Sequence, residues 1–547
     1  MNQPQVKQTL DVQTEANTLQ HKATNPSLPV WVGASAGSGK TKVLVERLLR
    51  LMLPDDTRNG VDPSRILCIT FTKAGASEVM ERVVKTLRGW TIASDENLQK
   101  DLGTLLASKP NEAQTKRARS LFARVIEAPG GMKIMTIHAF CQSVLARFPM
   151  EAGLPAGFEV MVEMEAQDLM RHVRRGIIAR LALQDKNDKQ LAIAFDLITT
   201  IRNAEQIESL MERMSSERAR LRDLITRYHD IDGLCGTVDN ALHVPANANA
   251  GDMIADFLEK IPADALRTIS PRLGACTTAT NQKSAALLAD LLAVTDRAPF
   301  LEDYKLIFLT KDAEPRKLVG VCKDDPSIQT LFANESARLQ RLDTNLRNLA
   351  TADATKALLR FSLAVLADYE SEKRKRNRLD FEDLIDRTKR LLSNGGVNWV
   401  QYKLDGGIDH ILVDEAQDTN PDQWDIISAL YDEFYAGTGT REDMTRTTFV
   451  VGDEKQSIFS FQRADPRVFG HQHERLEAAA AAADLPLQTI PMRISFRSSP
   501  SVLQVVDEVF APADMRDGVV QDPEEIVSHT AFRSGKAGRV ELWPLIK

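Results

Sequence analysis

A small-residue loop set between an apolar strand and an amphipathic helix constrains this chain more than any other stretch: Trp31 to Leu49 reads WVGASAGSGKTKVLVERLL. Val30, Trp31 and Val32 close a buried strand, and Ala36 to Gly39 form the turn. From Lys42 to Met52, Leu44, Leu48 and Leu51 recur at spacings of four and three, the period of a helix lying on a core. Strand, loop and helix in that order aim backbone N–H groups and a positive helix end at one point, which is how a polyphosphate is held. Within the pattern G-x-x-x-x-G-K-[ST], Gly37 and Gly39 permit close approach, Lys40 reaches the outer phosphates and the Thr41 hydroxyl suits Mg²⁺. The first glycine of that pattern is here Ala34, which is acceptable where φ is negative. A bare small-residue turn packing a helix on a sheet is the alternative, and the strand and helix context favours the nucleotide.

Composition removes several classes. At 547 residues the chain has room for several cores, and 43% hydrophobic with 27% charged content is that of a globular protein. A net charge of −7 shows no global attraction to nucleic acid, so any such surface is a local groove. The basic clusters Arg171 to Arg175 and Lys373 to Arg378 read first as solvated helix faces. Five cysteines, Cys68, Cys141, Cys235, Cys276 and Cys322, lie far apart with no C-x-x-C pair, as in a reducing cytoplasm. No apolar run approaches the roughly 18 residues of a membrane span. The expected location is cytoplasmic, with no membrane partner.

Taken in order, residues 1–29 are polar, with a short helix expected around Gln13 to Lys22. Arg65 to Phe71 is a β-rich run that meets polar Thr72 and Lys73 before a helix, which repeats the strand-loop-helix unit of a parallel α/β sheet. Charged helices are expected over 95–128, then a short strand Lys133 to His138 and a helix Ala139 to Phe148. From 151 to 375 the pattern changes to long amphipathic helices, a helical insertion interrupted at Ile231 to Asp252 by an Asn/Ala/Gly/Pro stretch read as a flexible connector. The α/β signal returns with Leu379 to Ile385, His410 to Val413 and Thr447 to Val451, and a domain crossing is expected near Asp484. The resulting division is 1–150 and 376–484 for one α/β domain, 151–375 for the insertion and 485–547 for the start of a second α/β domain.

Ile411-Leu412-Val413-Asp414-Glu415 is an apolar strand ending in two acids, 374 residues after Lys40. A phosphate loop needs such a second element, because Mg²⁺ requires a carboxylate at a strand end and the attacking water must be oriented. Asp414 suits the metal and Glu415 the general base. Two acids after an apolar run are common by chance, and their weight comes from the loop upstream.

With these residues in view, Asp414-Glu415-Ala416-Gln417-Asp418 resembles the DEXQD box of superfamily 1 helicases of the UvrD/Rep/PcrA and RecB-like group. Other segments match in order. Thr18-Leu19-Gln20 resembles the adenine-reading glutamine motif, and Ala34-Ser35-Ala36-Gly37-Ser38-Gly39-Lys40-Thr41-Lys42 the ATP loop. Thr70-Phe71-Thr72-Lys73-Ala74 with Glu78 is similar to TFTNKAA-x-E, and Thr136-Ile137-His138-Ala139-Phe140 to TIHSF, both single-stranded DNA motifs in that group. Val451 to Phe461 resembles VGDxxQSIYxF, which implies γ-phosphate sensing by Gln456 and base stacking on Phe459 and Phe461. Ile494 to Ser498 resembles NYRS, whose arginine, here Arg497, acts as a finger on the γ-phosphate. Gln462-Arg463 departs from the usual RG or QG, and Arg463 is given no role.

The resemblance spans 18 to 498 and is strongest toward the AddA-type branch of double-strand break repair. It implies a RecA-like motor domain with a helical insertion and the start of a second RecA-like domain. It also implies ATP and Mg²⁺ as cofactors, 3′-to-5′ movement, single-stranded and tailed duplex DNA as substrates and an AddB-like partner protein. The later KGLE-type and T-R-A-type motifs are not found, so the sequence reads as an N-terminal part of such a protein. The competing readings are a nucleotide-gated DNA-binding module without turnover and a P-loop small-molecule kinase; the Gln456 motif and Arg497 disfavour the kinase. His138 could instead cap its helix, Phe459 and Phe461 could be core, and Asp380 and Asp383 are read as structural acids.

Overall fold

The computed structural model describes residues 3–544 other than 56–57, 184–188, 276–277, 318–324, 394–399, 401–402, 405–406, 437–444, 458–465, 517–518 and 521–525. It divides into two compact units, Met1–Glu163 with Asn377–Lys547, and Met164–Arg376.

Among the described residues the first unit has ten strands: β1 (Val30–Ala34), β2 (Ile66–Thr70), β3 (Lys133–Thr136), β4 (Glu159–Val160), β5 (Arg378–Leu379), β6 (His410–Val413), β7 (Thr447–Gly452), β8 (Gln488–Met492), β9 (Ile494–Ser495) and β10 (Thr530–Ala531). Six of them form one sheet in the order β3-β2-β6-β7-β1-β8, and every pairing in it is parallel. Two further two-stranded sheets pair β4 with β5 and β9 with β10. In the register Val30 faces Phe449 on β7 and Gln488 on β8.

Alternation along the strands sends side chains to two apolar layers, as a sheet covered on both faces requires. Val30, Val32, Ile66, Cys68, Leu412, Phe449 and Val451 enter one layer. It is completed by four helices, α2 (Lys40–Met52), α3 (Lys73–Ile92), α4 (Asp95–Leu106) and α5 (Glu112–Glu127), after the N-terminal α1 (Gln3–Ala23). Trp31, Leu67, Ile69, Ile411, Val413 and Val450 enter the other, against α6 (Ile137–Arg147) and the helices Phe381–Ser393, Pro421–Tyr435 and Pro466–Ala482. Trp31 is stacked on Trp424 with ring centroids 6.2 Å apart.

In this unit the α/β signal at Leu379 to Ile385 resolves into a short strand followed by a helix. Only Arg378–Leu379 is strand, and the helix that follows is closed at its start by Asp380 and Asp383, each accepting the other's backbone N–H at 3.1 and 3.0 Å. The boundary at 485 shifts, because Gln488–Met492 completes the first sheet beside β1 instead of opening a second one. The helix Pro500–Val509 leaves Val502, Val505, Val506 and Val509, one stripe at spacings of three and four, between 37% and 53% exposed.

The second unit is helical, ending in the fifty-residue helix Pro326–Lys375, which Asp325 caps at Ser327 N and Pro326 opens. Its core gathers Phe257, Leu266, Leu288, Tyr304, Phe308, Phe332 and Leu339. There the Tyr304 hydroxyl donates to buried Glu335 at 2.8 Å, and Arg338 lies over Phe257 at 3.9 Å. The first half of the expected connector at Ile231 to Asp252 is a helix, Ile231–Ala241, because Asp230 caps it through Gly233 N at 2.8 Å, and residues 242–249 link it to the next helix. The basic clusters are matched by acids: Arg171 pairs with Asp168, Arg174 with Glu208, Lys373 with Glu370, and Lys375 and Arg376 with Glu372. Among the described residues, no helix is long and apolar enough to cross a membrane.

Candidate active site

Parallel strands place all their C-terminal ends on one edge of the sheet, the edge where open α/β sheets take ligands. Here that edge carries the loop after β1, Phe71 to Lys73 after β2, the turn into α6 after β3, Asp414-Glu415 after β6 and Asp453 to Gln456 after β7. β7 lies between β1 and β6, so the loop and the two acids start two strands apart, about 10 Å at normal strand spacing.

Lys40 spans that gap. Its Nζ donates to Glu415 Oε2 at 2.8 Å, with the lysine side chain only 11% exposed. In the loop, Gly37 and Gly39 have φ of 75° and 94°, left-handed values that a side chain rarely adopts. Gly39 is the N-cap of α2. A Cβ on Gly37 would stand 2.6 Å from Arg497 Cβ, because the segment after β8 lies against the loop. Phe496 N donates to Gly37 O at 2.8 Å and the Ser495 hydroxyl to Ala36 O at 3.0 Å. Ala34, Ser35 and Ser38 are buried, Ala36, Lys42 and Arg497 are exposed, and Thr41 is half-buried.

Gln20 belongs to the same assembly. It is 4% exposed, accepts from Lys42 Nζ at 2.8 Å and donates to Ser38 O at 3.5 Å. The helix α1 therefore delivers this amide to the loop from twenty residues upstream.

A second chain of bonds runs along the acids. Glu415 has φ of 49°, a left-handed conformation that costs a non-glycine residue on the order of 1–3 kcal/mol and marks functional positions. Gln417, 2% exposed, donates to Glu415 Oε2 at 2.9 Å and to Asp418 Oδ2 at 3.0 Å, and its own oxygen accepts Asp453 N at 3.0 Å. Asp453 in turn accepts Gln456 Nε2 at 2.5 Å. Lys40, Glu415, Gln417, Asp453 and Gln456 thus form one continuous polar chain across β1, β6 and β7. Motif matching names Gln417 only as a letter of the box; its bridging position becomes visible once β6 and β7 are paired.

Burial, and next the Glu415 carboxylate, lift Asp414 from the usual carboxylate range to about 7. A buried carboxyl held this high is relieved by a cation, and the oxygen donors here, Asp414 and a threonine hydroxyl, match the hard-ligand preference of Mg²⁺. Magnesium takes few protein ligands and completes its shell with phosphate and water. Accordingly, among the described residues no group of three or more His, Cys, Asp or Glu is placed as a cage. The residues present fit a nucleotide with its metal.

Of the DNA-motif residues, Thr70 is buried and its hydroxyl donates to Thr72 O at 3.0 Å, while Thr72 caps α3 through Gly75 N at 2.9 Å. Phe71 is half-buried and Thr72 and Lys73 are exposed. His138 is not at a strand end, because α6 starts at Ile137. Nor does it cap the helix, since Thr136 holds Ala139 N. Its ring stands edge-on to Phe381 at 5.2 Å, and burial with nearby Lys73 lowers its pKa. Phe459, Phe461 and Arg463 lie outside the described residues.

Sheet order, left-handed glycine loop and strand-end acids define a P-loop nucleotide-binding α/β domain. The chain belongs to the UvrD/REP helicase family, whose N-terminal domain model matches residues 16–477. It is similar to a subunit of the ATP-dependent helicase/nuclease of Staphylococcus aureus strain USA300, 25% identical over 521 residues. The corresponding protein from Staphylococcus saprophyticus is 26% identical over 526 residues. Each alignment covers 88% of this chain and 38% of the relative, so the chain spans well under half the length of the curated relatives it matches.

Proposed function

We propose that this chain is the ATP-dependent motor portion of a DNA helicase acting in double-strand break repair, moving 3′-to-5′ on single-stranded DNA and entering tailed duplexes. The polar chain from Lys40 through Glu415, Gln417 and Asp453 to Gln456 carries the reading, because it ties the phosphate loop, the water-activating acid and the γ-phosphate-sensing amide into one unit.

In this reading ATP lies on Ala34 to Lys42 with its base toward Gln20, and Mg²⁺ is held by Thr41 and Asp414. The metal supplies neutralisation of charge on the phosphates. Glu415 accepts the proton of the attacking water, and Lys40 must exchange its bond to Glu415 for the outer phosphates. Gln456 reports whether the γ-phosphate is present, and Arg497 stabilises it from the opposite side. Thr70, Phe71, Thr72, His138, Phe459 and Phe461 form the track for single-stranded DNA. Residues 494–547 open a second RecA-like domain, and the helical unit is the insertion of the first. An AddB-like protein is the proposed partner and the cytoplasm the proposed location.

The test is phosphate release with and without single-stranded DNA, followed by strand displacement on a 3′-tailed duplex. DNA-stimulated release that disappears in Glu415→Gln supports the motor reading. Unstimulated release with DNA affinity that depends on the bound nucleotide would replace it with a nucleotide-gated binding module.

A further inference from the structure

Arg47 is fully buried at the middle of α2, two turns past the phosphate loop. Among the described residues no carboxylate pairs with it. Its guanidinium instead donates to Ala23 O at 3.5 Å, to Asn25 O, to Leu28 O at 2.8 Å and to the Thr447 hydroxyl on β7 at 3.1 Å. Burial, with Arg58 and Arg50 adding to it, pulls the group down to about 9. A buried cation without an anion is a poor source of stability, and an apolar side chain of similar size commonly serves as well. What arginine offers in exchange is a rigid planar fork that fixes several oxygens at once.

Two more arginines hold the same segment. Arg50 donates to His21 O at 3.0 Å and to the Thr24 hydroxyl at 2.6 Å, and Arg58 to Pro26 O at 3.4 Å. Five carbonyls between His21 and Leu28 are thereby tied to α2 and the loop after it. This segment immediately follows Gln20, whose own bonds to the loop comprise one at 2.8 Å and one long contact at 3.5 Å.

We infer that Arg47, supported by Arg50 and Arg58, is a base-positioning residue: it fixes the His21 to Leu28 segment against α2 and so sets where the Gln20 amide meets the base, giving adenine preference over guanine. The inference rests on the reading of Gln20 as the base contact. Without the clamp the amide can shift along α2 while the phosphate loop remains formed. The predicted signature is a loss of base discrimination with little loss of triphosphate affinity.

The experiment measures binding of fluorescent mant-ATP and mant-GTP, with Mg²⁺, to the full 547-residue chain and to Arg47→Lys, Arg47→Met and Gln20→Ala, with a melting curve for each. The expected result is a clear wild-type preference for the adenine nucleotide that both Gln20→Ala and Arg47→Met reduce by about tenfold, with Arg47→Lys in between and mant-GTP affinity changed less than threefold. An Arg47 variant that keeps the wild-type ratio while Gln20→Ala loses it overturns the clamp and leaves the base contact standing. A ratio unaffected by Gln20→Ala overturns both. Should the Arg47 variants fail to fold, Arg50→Ala and Arg58→Ala at the rim of the clamp decide by the same ratio.

Discussion

Replacing Asp414 by asparagine should make the nucleotide-free protein more stable while weakening its hold on Mg-ATP. Asp414 is only 8% exposed, and its carboxyl is lifted from 3.8 to about 7 by burial first and Glu415 second; Lys40 pulls it down and Glu78 pushes it up slightly. Because the folded value lies above the unfolded one, the folded state favours the proton. The cost is absent below about pH 4, grows as pH rises and is complete above about pH 7. Such a displacement is worth on the order of 4 kcal/mol at 1.36 kcal/mol per pKa unit. The asparagine amide must itself be desolvated, at about 1–2 kcal/mol, so the expected net gain at pH 8 is about 2–3 kcal/mol, falling toward zero or below at pH 4.5. Urea unfolding followed by tryptophan fluorescence is suited to this unit, since Trp31 and Trp424 are both buried in it. Added Mg-ATP should stabilise the parent protein and scarcely affect the variant. A variant less stable by the same amount at both pH values would show that no uncompensated charge resides at Asp414.

Three further outcomes follow from the site and its surroundings. Glu415→Gln should retain ATP binding while hydrolysis falls by about 10²-fold or more, and equal loss of the two would remove Glu415 from the role of base. Alanine at Phe459 or Phe461 should weaken single-stranded DNA binding by about 1–3 kcal/mol with nucleotide affinity in the absence of DNA unchanged. A lowered melting temperature with intact DNA affinity would instead place these rings in the core. Val505→Lys with Val509→Lys, on the exposed stripe of the helix Pro500–Val509, should reduce concentration-dependent association in sedimentation with no change in nucleotide affinity.

Local chemistry made much of this molecule legible before its fold was known. The glycine loop, the strand-end acids and the parallel α/β repeat depend on residues close together in sequence, and α2, β2, β6 and β7 fall where period and composition place them. An error arose where one capping side chain outweighed composition. Asp230 turns the first half of a Gly- and Asn-containing stretch into the helix Ile231–Ala241. The placement of β8 was not legible, because a strand's sheet is decided by its partner and Val30 lies more than 450 residues from Gln488. The bridging position of Gln417 and the carbonyl contacts of Arg47 are likewise products of tertiary pairing, without any local pattern of their own.

The sheet also sets a schedule for biosynthesis. Among the described residues β1 is bonded only to β7 and β8, strands that a ribosome adds more than 400 residues later. At about 5–20 residues per second, Val30, Trp31 and Val32 wait roughly 20–80 s for their neighbours. Meanwhile β2 and β3 can pair early, and the helical unit, whose apolar core is drawn from residues 257–342, can close by itself. The phosphate loop therefore acquires its shape among the last features of this sheet, when β7 and then β8 dock on either side of β1. During that interval an apolar strand with two open edges is a natural substrate for chaperones, and slowing translation just before residue 447 would lengthen its exposure more than slowing it anywhere after β8.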